Sequence, residues 1–370
     1  MKPTDFRLRP VAPDDLAALE RIAQASAFGI NSLPDDRAKL ALRIERSQHA
    51  FASQDLASGE EAYLFVLEDL SSGQVVGTSG IAASAGFRDR FYSYRNEFVV
   101  QDAPLLGVSQ RMHTLHLCHD LTGCTLLTSF FIDPGYEATL APQLLSRARL
   151  LFIQAHAERF SERVVAESPG LADSDGNSPF WDAVGRRFFN MDYPSAERLA
   201  GGRARSFIAD LMPKSAIYVP LLPERAQWAI GQLHPVGELP FSILQDEGFE
   251  TDTYVDVFDA GPTVDARLAM LHSVRQARPV WVEPSSALAV PSVDSAQPQP
   301  SNASWNLLAR PTREGFSAVL VALPADCSHL PAQHEAVLRL GAQPGEALVA
   351  SPLPLHLGAA QIAVAHKEPV

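Results

Sequence analysis

The sequence predicts an α+β fold in which a mixed sheet carries its helices, and three features predict it. Short apolar runs bounded by turn residues are interleaved with longer runs of helical spacing up to about Glu283. One helical run, from Pro142 to about Phe160, sets Leu144, Leu145, Ala148, Leu151, Phe152 and Ala155 at i, i+1, i+4, i+7, i+8 and i+11, the pattern of one buried face. After Glu283 the composition changes to PSSALAVPSVDSAQPQPSNAS, which reads as a linker before a smaller unit. A chain of 370 residues with 46 % apolar content has room for two or three units of ordinary size.

In chain order, Phe6 and Leu8 alternate with Arg7 and Arg9 as in a short strand, and Leu16, Leu19 and Ile22 follow helical spacing after Pro13. GINSLPDDRAKLALRIERS starts a second helix after Pro34, with Asp35 and Asp36 in its first turn and Leu40 and Ile44 on one face. AYLFVLED and QVVGTSGIAAS read as two strands joined at Ser71-Ser72-Gly73. LLTSFFIDP is a strand ended by Pro134-Gly135. Beyond the long helix come a strand in RVVAESPG, a helix in SPFWDAVGRRFF and a strand in SFIADLM. WDAVGRRFFNMDY and FSILQDEGFETDTY each set a short helix before an aromatic residue and a strand, as a duplicated half-domain would and as two unrelated units also can. The tail adds a strand in SAVLVAL, a short helix near Pro331–Leu340 and a strand in GEALVASPL. The expected units are 1–205, 206–283, a linker at 284–304 and a small β-rich accessory module at 305–370.

The net charge of −13 argues against nucleic acid or an anionic membrane surface as a general partner. Cys118, Cys124 and Cys327 leave at least one thiol unpaired and show no CxxC spacing, which suits a reducing cytoplasm. The N-terminus has no signal-like apolar run, and no stretch is apolar enough to span a bilayer. No GxGxxG or GxxxxGK[ST] is present, and Ser79, Ser129 and Ser146 lie in no GxSxG context. His113, His116 and His119 recur every third residue, but that spacing holds three imidazoles on one face of neither a helix nor a strand, so no metal site is expected. Asp120 beside them suits a cap on the following LTG turn.

His234 is the local focus of the chemistry. Pro223 opens a helical run, PERAQWAIGQL, that delivers His234 to a helix C-terminus, where the dipole favours the imidazolium. Pro235 stops that helix, and a second one, from about Leu239 to Glu247, ends at Gly248. Either His234 exchanges a proton near neutral pH or it only caps backbone groups.

The order β–α–α–β–β, then strand, long helix, strand, helix, strand, resembles that of the acyl-CoA N-acyltransferase (GNAT) superfamily. NSLPDDRAKLALRIERS, YLFVLED, CHDLTG, LLTSFFIDP, SPFWDAVGRRFF, ADLMPKSAIYVPLLP, GQLHP, EGFETDTYVDVFDAGPT and SVRQAR together resemble the arginine N-succinyltransferase family, in particular its alpha-subunit type, over roughly residues 6 to 282. The resemblance implies a GNAT-like mixed sheet with helices on both faces. It implies transfer of a succinyl group from succinyl-CoA to the α-amino group of arginine, with ornithine as an alternative amine and no permanently bound cofactor. The family's proton donor falls on His234 and its succinyl-CoA contact on Phe130. Glu167 is a candidate for the base, or a strand-end carboxylate paired with an arginine; Arg95 is a candidate for a substrate carboxylate, or a surface arginine.

One departure concerns the turn into the long helix, where the superfamily uses a basic, glycine-containing loop to hold the CoA diphosphate on backbone N–H groups. Here it reads GYEATLAP, in which Glu137 adds negative charge and Pro142 removes a donor. A beta subunit is therefore expected to complete the site in a hetero-oligomer. The second reading is a catalytically weak structural or regulatory subunit that supports an active beta chain.

Overall fold

The computed structural model describes residues 2–25, 33–34, 36–54, 57–200, 210–284 and 303–354. The opening follows the sequence pattern: β1 (Phe6–Pro10), α1 (Leu16–Ala25), α2 (Arg37–Ala52), β2 (Ala62–Asp69) and β3 (Gln74–Ala82). Asp36 stands one position before α2 rather than in its first turn, and its carboxylate accepts the Lys39 N–H at 2.8 Å, an N-cap. Asp35 lies outside the described residues. Gly73, at φ +70°, closes the β2–β3 hairpin.

Two long strands that the sequence pattern does not reveal come next, β4 (Ser93–Ala103) and β5 (Val108–Cys118), followed by β6 (Thr125–Ile132), α3 (Ala141–Ala155) and β7 (Arg163–Glu167). SPFWDAVGRRFF forms two short helices, α4 (Pro179–Ala183) and α5 (Gly185–Phe189), broken at Val184, and α6 (Tyr193–Ala200) follows. The strand expected in SFIADLM begins outside the described residues, and its Asp210 and Leu211 are helical. Next come β8 (Ile217–Tyr218), α7 (Glu224–Ala229), α8 (Glu238–Glu247), β9 (Glu250–Asp256), β10 (Pro262–Arg267), α9 (His272–Arg275) and β11 (Arg278–Glu283). The two echoing segments diverge after their helices. Each helix ends at a residue of positive φ, Asn190 or Gly248, but the first then runs into helix α6 and the second into strand β9. The tail supplies β12 (Ala303–Arg310), β13 (Ser317–Pro324), β14 (His329–Pro331), α10 (Glu335–Leu340) and β15 (Ala347–Pro352); most of the expected linker lies outside the described residues.

All these strands join one sheet, ordered β14-β11-β15-β12-β13-β1-β2-β3-β6-β7-β10-β9-β4-β5-β8. The fold is the mixed sheet with helices expected from the GNAT-like order. The units drawn at 1–205, 206–283 and 305–370 share that sheet: β10 lies between β7 and β9, and β13 pairs with β1 through Arg7↔Val319 and Leu8↔Ala318. Phe316, just before β13, stacks edge-on against Phe65 at 5.7 Å and Phe152 at 5.1 Å, so the tail also enters the central core. Such aromatic pairs each contribute about 0.5–1.5 kcal/mol beyond their buried area.

Helix α3 is the centre of that core, and it is buried on every side from Ala141 to Ile153. The positions that the periodicity assigns to a solvent face, Gln143, Ser146, Arg147 and Arg149, are all buried. Arg147 is neutralised by Glu247 of α8, which also accepts the N–H (2.9 Å) and hydroxyl (2.5 Å) of Ser273 in α9. One ion pair therefore ties α3, α8 and α9 together.

Candidate active site

The two central parallel strands part company. β6 and β7 pair only through Thr125↔Val164, Leu126↔Val165 and Leu127↔Ala166. Beyond that point β6 continues alongside β3 and β7 continues alongside β10, leaving a wedge between them. At its mouth β6 bulges: the β3–β6 register shifts between Thr78 and Gly80, and Ser129 takes φ +54°, a strained value for a residue with a Cβ. Phe130 follows the bulge, half-buried against the α3 core.

The segment carrying His234 lies beside the chain just past the end of β7, beyond the last β6–β7 pair. Ser168 N–H donates to Pro262 O on the β10 side at 2.9 Å, whereas the Pro169 carbonyl, pointing the other way, accepts the His234 N–H at 2.9 Å. Gly170 and Leu233 form a bridge beside it. His234 is therefore not at a helix C-terminus. α7 stops at Ala229, Gly231 turns at φ +72°, and His234 is instead the N-cap of the turn Pro235–Gly237 that leads into α8. Its half-buried ring accepts the Val236 N–H at Nδ1, 3.4 Å. An accepting Nδ1 carries no proton, so in the neutral ring the hydrogen sits on Nε2. Capping and proton donation remain alternatives, because an imidazolium able to give up a proton carries hydrogen on Nδ1 as well and must first release the Val236 N–H.

A tight crossing of backbones supports this segment. A Cβ on Gly261 would lie 2.3 Å from Ser168 O, and one on Gly170 would lie 2.7 Å from Asp259 O. Asp259 fastens the crossing by accepting N–H groups from Gly170 and Gly261, each at 2.8 Å, and the Tyr193 hydroxyl at 3.1 Å. Gly231 N–H reaches Ala260 O at 2.9 Å, which links the crossing back to the His234 segment. Burial, together with the charge of Asp256, pushes the Asp259 carboxyl up to about 7. A folded-state pKa above the unfolded value means stability fully present below about pH 4 and lost as the pH rises through about 7. Asp259→Asn removes this titration, so the stability of the native chain relative to the variant should fall across that window. Denaturant unfolding at a series of pH values checks it; a pH-independent difference would contradict the assignment.

The remaining sequence candidates scatter. Glu167 ends β7 opposite Thr263, half-buried, close in the chain to Pro169. Arg95 lies on β4 with its fork already engaged by Glu97 at 2.5 Å and Asp120 at 2.7 Å, and these contacts raise its pKa further. Carboxylate recognition by Arg95 would require one of these pairs to open. Asp120 therefore serves Arg95 and the Tyr254 hydroxyl, not the turn after it. His113 meets Asn96, His116 meets Thr114 and Glu97, and His119 meets Arg90. Among the described residues no group of His, Cys, Asp and Glu is arranged to hold a metal ion.

At the start of α3 the amides are consumed internally. Ala141 N–H goes to Thr139 Oγ1 at 3.1 Å, Gln143 and Leu144 N–H go to Leu140 O at 3.1 and 3.2 Å, and Pro142 has none. A diphosphate would find few free donors there. Sequence reasoning missed Arg43 and Arg149, which meet β6 at the bulge, and no local signal marks them. A cleft of about 600 Å³ lined by Arg7, Arg9, Gln48, Phe51, Glu314 and Phe316 lies elsewhere, with its arginines held by Glu68 and Asp15.

Comparison with known proteins gives the family. The family described as "Arginine N-succinyltransferase beta subunit" matches residues 6–273. "Arginine N-succinyltransferase subunit alpha" of Pseudomonas aeruginosa is 49% identical over 276 residues, which cover 75% of this chain and 82% of that one. "Arginine N-succinyltransferase" of Salmonella arizonae is 38% identical over 323 residues, 87% of this chain and 90% of that one. The solved structure of "arginine/ornithine succinyltransferase subunit AI" from Pseudomonas aeruginosa superposes with a TM-score of 0.79 at 39% identity, covering 94% of this chain and 99% of that one. The chain thus belongs to the arginine N-succinyltransferase family, a family of acyltransferases.

Proposed function

We propose that this chain transfers a succinyl group from succinyl-CoA to the α-amino group of arginine, giving N2-succinylarginine and CoA, as a cytoplasmic step of arginine catabolism. What supports the reading is the His234 backbone held at Pro169, just past the end of β7, beyond the last β6–β7 pair, with Phe130 lying beyond that pair on β6. The pantetheine arm of succinyl-CoA would run into the wedge, with Phe130 against the thioester. The neutral amine attacks the thioester carbon and forms a tetrahedral oxyanion. Collapse breaks the C–S bond, His234 in its imidazolium form protonates the departing thiolate, and the neutral ring then recovers a proton as the attacking nitrogen sheds its second one to become the amide. Glu167 is the proposed acceptor of the proton released by the ammonium, and it is tested by Glu167→Gln in the assay below, where unchanged turnover excludes it.

The consumed amides at the head of α3 support a second element, a beta subunit that holds the CoA diphosphate or completes a shared site in a hetero-oligomer. The isolated chain is then expected to bind succinyl-CoA weakly and turn over slowly. The test is CoA release and product identification for a panel of acyl-CoA donors with arginine and ornithine, with and without the partner. Succinyl-CoA with arginine should give the highest kcat/KM in the assembled enzyme; micromolar affinity and full activity of the chain alone would overturn the need for a partner. Unchanged turnover of the assembled enzyme when His234 is replaced would instead favour a supporting, non-catalytic role for this chain.

A further inference from the structure

Two guanidinium groups reach the β6 bulge from opposite sides of the sheet. From α2, half-buried Arg43 donates through Nη2 to the Ser129 hydroxyl at 2.6 Å. From α3, Arg149, 2 % exposed, donates through Nη1 to Thr128 O and Gly80 O at 3.4 Å each, and its guanidinium carbon lies 5.9 Å from the centre of the Phe130 ring. The remaining contacts of Arg149 are Ser146 O at 3.0 Å and Ser146 Oγ at 3.1 Å. These acceptors of Arg149 are all neutral.

That is unlike the other core arginine of this helix. Arg147 has Glu247 and Asp246, and Arg9, Arg163 and Arg310 each hold a carboxylate, in a chain with 43 acids and 30 bases. Among the described residues, no carboxylate pairs with Arg149. A buried charge balanced only by neutral acceptors is costly, and an anion bound nearby would offset that cost. Burial lowers Arg43 to about 10 and Arg149 to about 9, still well above neutral pH, so both stay cationic. Ser79, fully buried and adjacent to Gly80 on β3, has a hydroxyl with no hydrogen-bond partner among the described residues. The bulge that carries Phe130 is thus flanked by two cations.

We propose that the Ser129 bulge is a carboxylate subsite in which Arg43 binds the distal carboxylate of the acyl donor while Arg149 supplies positive potential from behind the strand. The inference rests on the reading of the site given above and adds the reason for choosing a dicarboxylic monothioester over an uncharged acyl-CoA. A four-carbon acyl group with its carbonyl at Phe130 needs its carboxylate bound only a few ångströms away, and the arginine contacts at residues 128 and 129 lie immediately beside Phe130 in the chain. The amine substrate also carries a carboxylate, so the test must separate donor from acceptor.

The experiment compares the assembled enzyme with its Arg43→Met and Arg43→Lys variants, using succinyl-CoA and butyryl-CoA as donors and arginine and agmatine, which lacks the α-carboxylate, as acceptors. Expected for Arg43→Met is a fall of about 100-fold in kcat/KM for succinyl-CoA with little change for butyryl-CoA, partly restored in Arg43→Lys. The preference for arginine over agmatine should persist. Equal losses with both donors would reduce Arg43 to a structural role and overturn the proposal. Loss of the arginine preference with an intact donor preference would assign the subsite to the acceptor, and overturns it too. If the unaltered enzyme itself shows no preference for succinyl-CoA, the reading of the reaction fails; if it does and Arg43→Met keeps that preference, only the subsite fails.

Discussion

Replacing His234 by alanine in the assembled enzyme is expected to lower kcat for succinyl transfer by about 10²–10⁴-fold, with KM for both substrates within a few-fold. The reason is local. Among the described residues, the ring's hydrogen bond is the long 3.4 Å contact to Val236 N–H, while the His234 backbone stays pinned to Pro169 O at 2.9 Å. Removing the ring takes away the Nε2 proton without moving the segment, so a thermal melt of the variant should match that of the unaltered chain. A large drop in melting temperature with unchanged kcat per folded molecule would show that His234 only shapes the loop.

Glu247→Ala is expected to destabilise the chain by about 3–5 kcal/mol, the range for removing one partner of a buried ion pair. Glu247 is 2 % exposed and Arg147 is 0 % exposed. The substitution strands the Arg147 charge and also frees the Ser273 N–H and hydroxyl from their shared acceptor. Denaturant unfolding measures the loss. The paired change Arg147→Met with Glu247→Leu should recover much of it, because two apolar side chains leave no uncompensated charge. A single-variant loss below about 1 kcal/mol would mean that the pair is solvated in the native state.

These two sites also show what the sequence could and could not convey. The heptad-like spacing of α3 is readable because it depends on neighbours a turn apart, and Leu144, Leu145, Leu151 and Phe152 are buried as the spacing requires. Whether the opposite face meets water depends on elements distant in the chain, α8 for Arg147 and the β3–β6 pair for Arg149, so both pass for solvent-facing positions. The hairpin β4–β5 escapes a pattern search for a related reason. Beyond Arg95 it projects past its neighbour β9, and it exposes apolar side chains, Phe98 at 52% and Val100 at 66%, so alternation no longer separates core from solvent.

His234 is recognisable from the words around it, yet its expected setting at a helix end fails because α7 stops at Ala229 and Gly231 turns the chain towards Pro169. The Ser129 bulge has no glycine or proline to announce it in TSFFI, and the register shift against β3 and the positive φ of Ser129 make it visible. Sheet order is the least local property of all. The pairing of Arg7 with Val319 brings the tail beside the first strand, where the linker-like composition between 284 and 304 suggested a separate module.

The central claim, that His234 protonates the leaving thiolate across the wedge from Phe130, is tested most directly by changing the leaving group. A thiolate of low pKa departs without a proton donor, so general-acid catalysis matters only for a basic one. Turnover of the unaltered enzyme and of His234→Ala is measured with succinyl-CoA and with an aryl thioester of succinate whose thiol is strongly acidic. The account predicts a ratio between the two enzymes of about 10² or more with succinyl-CoA and close to one with the aryl thioester. An equal loss with both donors would contradict it.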